Sequence, residues 1–79
     1  MVAIQSTELP INELTEYEKN SRTHSDDQIK ALAEAIKRFG FTQPIICDES
    51  KVILAGHGRY MAARQLGLKV VPCRVVTSL

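Results

Sequence analysis

The stretch Ile53–Gly67, ILAGHGRYMAARQLG, constrains the chain more than any other. A β-prone run, Val52–Ala55, feeds Gly56-His57-Gly58. Arg59 follows at once, and Gly58 to Leu66 then has helical character until Gly67 stops it. A strand that runs through a glycine turn into a helix leaves unpaired backbone N–H groups at the helix start. The helix dipole adds positive potential there, which suits phosphate or another anion. Glycine lets a ligand approach the backbone closely. The motif is neither a P-loop, since no Gly-Lys-Ser/Thr follows, nor a complete G-x-G-x-x-G. Arg59 near a helix N-terminus opposes the dipole by a few tenths to about 1 kcal/mol. That placement is easier to understand if the arginine shares an anion with the N–H groups. Spacing by itself leaves a tight corner and an anion site level.

The rest of the chain supplies the elements around this turn. Ser25 to Gly40 predicts a helix. Ser25 and Gln28 are placed for a capping box, and Asp26 and Asp27 suit the positive end of the dipole. Ile29, Leu32, Ala33, Ile36 and Phe39 form an apolar stripe, and Gly40 is placed for a left-handed stop. Val2–Gln5 has weak strand character, and Thr7–Leu14 reads as an extended segment followed by a short helical turn. Ile45–Cys47 and Val52–Ala55 pair as a hairpin across Asp48–Lys51. In the second helix, Tyr60, Ala63 and Leu66 are the expected inward positions, flanked by Met61 and Ala62. Val70–Val76 is a final strand whose Pro72 argues for an edge or for the strand's first residues. The order predicts an α+β fold, a small mixed β-sheet packed with helices.

Seventy-nine residues make one domain. Ten Lys and Arg against nine Asp and Glu give a net charge of +1 and a sequence pI of about 7.8. A stand-alone DNA-binding domain tends to exceed a pI of roughly 9, so any anion site here is local. No apolar run approaches the roughly 20 residues of a membrane span, and the N-terminus lacks the pattern of a signal peptide. These features point to a cytoplasmic protein. Cys47 and Cys73 lie far apart and read as buried thiols.

Other candidates are weighed beside the glycine turn. His57 could act as a general base, a phosphate ligand or a cap, and with no partner visible a structural role is the better reading. A zinc site from His24, Cys47, His57 and Cys73 lacks the close-pair spacing of such sites. Arg22, in the polar loop Asn20-Ser21-Arg22, could offer a second guanidinium to a polyanion, although a solvated arginine is the simpler account. Thr42-Gln43-Pro44 could form a rigid turn or hold backbone and amide groups against a ligand. Arg64 lies five residues from Arg59, an imperfect match to one helix face.

Taken in order, LPINEL, Asn20-x-Arg22, DDQIKALAEAIKRFGFTQPI and VILAGHGRYMAARQLGLKVVPCRV resemble the ParB-like nuclease domain of the ParB/sulfiredoxin superfamily. The resemblance runs from about Thr7 to Val76 and is nearest to the domains that begin phage and prophage DNA methyltransferases. It implies a ParB/sulfiredoxin-like fold, a single domain over 1–79, and either an excised domain or a truncated family member. It also implies a nucleotide pocket lined by Gly56, His57, Gly58, Arg59, Arg22, Thr42, Gln43 and Pro44. The ligand would be CTP or ATP with Mg2+, and DNA would be met through a neighbouring domain.

The family block reads G-E-R-R, so His57 replaces its acidic residue and Gly58 its first arginine. The acidic residue is associated with hydrolysis in ParB-like CTPases, so the resemblance favours binding over turnover, with His57 the one catalytic candidate. Sulfiredoxins carry a reactive cysteine where this chain has His57, which argues against sulfinic-acid reduction. Two rival functions remain open on sequence grounds: a metal-dependent DNA nuclease and a ligand-free interaction module.

Overall fold

In the computed structural model, residues 2–17 and 24–78 are described. The elements are β1 (Val2–Pro10), a 3-10 turn (Ile11–Glu13), α1 (Asp26–Phe39), β2 (Ile45–Asp48), β3 (Ile53–Ala55), α2 (His57–Leu66) and β4 (Val70–Ser78). The four strands form one mixed sheet in the order β1-β4-β2-β3. β1 runs antiparallel to β4 along its full length, β2 runs parallel to β4, and β2 and β3 form the antiparallel hairpin. The fold class is the α+β arrangement expected from the sequence.

Local chemistry explains the boundaries. The Ser25 hydroxyl accepts from the Gln28 amide at 3.2 Å, and the Gln28 side chain accepts from the Ser25 amide at 3.2 Å. This reciprocal capping box starts α1. The hairpin lacks an Asn-Gly turn, and Asp48 does the work instead. Its carboxylate accepts from the Ser50 and Val52 amides, each at 2.9 Å, while Lys51 takes a positive φ of 67°.

α2 lies between the sheet and α1. Tyr60 and Ala63 join Ile45, Cys47, Ile53, Val71 and Cys73 in one core cluster, while Ala62 joins Ile29 and Ala33 in a second. Each fully buried aliphatic side chain contributes about 1.5–3 kcal/mol. Ala62 is therefore fully buried rather than flanking, and Leu66 is only half-buried. Small residues along α2 let layers pack closely on both sides.

Two other expectations are corrected, and of the two readings of Pro72 one holds. Phe39 leaves the apolar stripe and is 70% exposed, with the Arg38 guanidinium 5.4 Å from its ring centroid. Gly40 has φ 76° but ψ −171°, so it ends α1 with a positive φ outside the left-handed helical region. β4 is an interior strand, so Pro72 does not mark an edge. It is an early residue of β4 and faces Glu8 of β1, and pairing with β2 begins only at Cys73. The missing N–H thus falls where β4 has one neighbour.

Cys47 and Cys73 are free, buried thiols. Burial pushes the Cys73 thiol up to about 11 and raises Cys47 as well. Among the described residues, no helix is long and apolar enough to cross a membrane.

Candidate phosphate-binding site

The glycine turn is built as a helix start whose conformation and close packing favour glycine. Gly56 is the N-cap of α2, with φ 94° and ψ 25°. A Cβ there would lie 3.3 Å from the Cα of Ile45, a backbone atom at the start of β2. Left-handed geometry and close approach both disfavour a side chain. The Gly56 carbonyl accepts the first helical bond, from the Tyr60 amide at 2.9 Å. The amides of His57, Gly58 and Arg59 precede that bond and have no intrahelical partner. No side chain caps them, and the first turn carries no acidic residue.

The turn forms a ridge between two concavities. One, of about 230 Å³, is lined by His24, Leu32, Gly56, His57, Gly58 and Arg59. The other, of about 380 Å³, is lined by Thr42, Gln43, Pro44, Ile46, Ala55, Gly56, Arg59 and Arg74. Gly56 and Arg59 border both. The Arg59 Nη2 donates to Gln43 Oε1 at 2.8 Å, which ties α2 to the segment before β2. The structure therefore brings Gly56, His57, Gly58, Arg59, Thr42, Gln43 and Pro44 together. Arg22 lies outside the described residues. Arg64 points elsewhere: it donates to the Tyr60 hydroxyl at 3.2 Å and stands 5.8 Å from that ring's centroid. Arg74 was missed by motif reading, and its strand position alone does not reveal that it meets Arg59.

The ends of the Leu32 and His24 side chains lie close over Gly58. A Cβ would sit 2.7 Å from Leu32 Cδ1 and 3.2 Å from His24 Cε1.

His57 is 4% exposed, and its Nε2 accepts from the Tyr17 amide at 3.3 Å. A neutral imidazole accepting at Nε2 carries its proton on Nδ1. Burial lowers its pKa; the Glu16 carboxylate opposes this and His24 adds to it. His57 is thus neutral at pH 7, and the lone pair a general base would need is engaged.

This predicts acid sensitivity. The unfolded chain takes up the proton first as pH falls below about 6.5, so the stabilisation is complete above that value and declines toward the lowered folded pKa. The urea midpoint should fall between pH 7.5 and 5.5, and His57→Gln should flatten that slope. An equally steep slope in the variant would assign the acid sensitivity to other groups.

Among the described residues, no three His, Cys, Asp or Glu side chains gather to hold a metal. Neither concavity is lined by a described carboxylate.

The four-stranded mixed sheet and the glycine turn that opens α2 define a small α+β domain. Residues 2–78 match the ParB N-terminal domain family, and the chain belongs to it. The ParB-like nuclease domain-containing protein YnaK of Escherichia coli K12 is 49% identical over 70 residues, covering 89% of this chain and 80% of YnaK. A nucleoid occlusion protein of Bacillus cereus is 40% identical over 70 residues, covering 82% of this chain but only 24% of that protein.

Among solved structures, the truncated chromosome-partitioning protein ParB of Caulobacter crescentus, complexed with CTP-γ-S, has a TM-score of 0.79 at 32% identity. That match covers 90% of this chain and 43% of the ParB chain. Sulfiredoxin of Arabidopsis thaliana has a TM-score of 0.79 at 24% identity, covering 90% of this chain and 83% of sulfiredoxin, a likeness of fold alone.

Proposed function

We propose that this chain is a nucleotide-binding module of a DNA-associated protein. The phosphates of a nucleoside triphosphate sit on the Gly56–Gly58 turn and the first amides of α2, with Arg59 as charge partner. The observation that carries this is the uncapped, acid-free first turn of α2, which Gly56 opens in a left-handed conformation with Arg59 beside it. Anions bind such helix starts through aligned N–H donors and the dipole.

CTP is the first candidate because the Caulobacter crescentus relative is complexed with a CTP analogue; ATP is the second. Mg2+ would arrive held by the phosphates, since no described carboxylate lines either concavity. Thr42, Gln43 and Pro44 border the bound ligand, and Arg22 is assigned to the same site on the family pattern. With His57 buried, neutral and engaged by Tyr17, the site binds without hydrolysis. DNA is the macromolecular partner this reading expects, in keeping with the nucleoid occlusion and chromosome-partitioning relatives.

Calorimetric titration with CTP, ATP and GTP, with and without Mg2+, tests the reading. Saturable heat with one nucleotide and a matching rise in Tm are expected. No heat and no thermal shift with any of them at millimolar concentration would overturn it.

A further inference from the structure

Arg74 belongs to no motif, yet the sheet register delivers it to the phosphate site. It stands in β4 between Ser6 of β1 and Ile46 of β2. Cys73 beside it, and Val71 on the same face as Cys73, are buried in the core cluster that includes Tyr60 and Ala63 of α2. Alternation along a strand therefore sends Arg74 to the opposite, helix-free face. There it lines the 380 Å³ concavity with Arg59 and Gln43. Among the described residues the only ion pair is Lys51–Glu13, so neither guanidinium has a carboxylate partner there. Arg59 donates to a neutral amide instead. Two cations thus share one concavity in a chain whose net charge is only +1. Guanidinium groups present planar forks that match phosphate oxygens, and an anion between them removes their mutual repulsion.

We propose that Arg74 is a second phosphate-binding side chain of this site. The polyphosphate of the ligand then runs from the first turn of α2 across the strand-side concavity to the open face of the sheet. The proposal rests on the reading of the glycine turn given above. It adds a residue on a different element and fixes the direction in which the ligand extends.

The test compares the wild-type chain with Arg74→Gln and Arg74→Lys, using CTP, inorganic tripolyphosphate and a short DNA duplex as separate probes. Arg74 is exposed, so both variants should keep the wild-type Tm without ligand. Arg74→Gln should weaken CTP and tripolyphosphate by about tenfold, the size expected for one charge-assisted contact, and Arg74→Lys by less. Unchanged CTP binding in Arg74→Gln overturns the proposal and leaves the nucleotide reading standing. Loss of DNA binding alone overturns it too, by assigning Arg74 to a nucleic-acid backbone. If no nucleotide binds but tripolyphosphate does, and Arg74→Gln weakens it, the nucleotide reading fails and the paired-arginine site stands. If the wild type binds neither, both fail.

Discussion

Gly56→Ala is expected to destabilise the domain by about 2–3 kcal/mol, from a left-handed φ that an L-residue occupies only with strain plus a contact that cannot relax easily. The φ of 94° is the first part. The second is the 3.3 Å approach of the new Cβ to the Ile45 Cα. Ile45 is fully buried at the start of β2, so its backbone is held by the sheet. Gly67 provides the internal control. It also has a positive φ, 75°, but nothing lies within 4 Å of a Cβ built there. Gly67→Ala should therefore cost only the conformational part, about 1 kcal/mol. Urea unfolding of both variants separates the two contributions. Equal losses would mean that β2 yields to the methyl group and that the close approach is not binding on the fold. By the usual per-residue scale a domain of 79 residues has on the order of 4–12 kcal/mol in total. Gly56→Ala would thus remove a large share and displace the amides that precede Tyr60, so nucleotide binding should be lost in the fraction that remains folded.

What could be read from the chain, and what could not, divides by range. The α1 capping box needs only Ser25 and Gln28, three residues apart, and it forms as written. The glycine turn is likewise a local feature, and α2 starts one residue earlier than spacing implies, at His57. Contacts between distant segments were not legible. A single helical stripe describes one buried face, whereas α2 has two, so Ala62 looked peripheral and is fully buried. The stripe in α1 continues to Phe39, but burial along it ends with Ile36, which packs in the cluster shared with α2 while Phe39 is exposed. The interior place of β4 follows from a parallel pairing with β2 that no short-range pattern encodes. The same pairing places Arg74 in the concavity with Arg59. His57 had no visible partner because its partner, the Tyr17 amide, lies forty residues away.

Arg59→Ala should separate stability from function, because the two effects have opposite sign. Arg59 sits in the first turn of α2, where a cation is unfavourable by about 0.3–1 kcal/mol. Among the described residues its side chain donates to Gln43, in an exposed hydrogen bond. Removing the guanidinium should therefore leave the unliganded stability unchanged or raise it slightly, read as an equal or higher urea midpoint. Nucleotide affinity should move the other way. Arg59 borders both concavities, and a hydrogen bond to a charged group contributes about 1.5–3 kcal/mol, so a loss of roughly ten- to hundred-fold is expected. Arg59→Lys keeps the charge without the planar fork and should fall between the two. A residue retained only for packing would show the reverse pattern, with lower stability and unchanged binding, and that result would return the glycine turn to a structural corner. An arginine held against the dipole, with no carboxylate partner among the described residues, is the arrangement that an anionic ligand would neutralise.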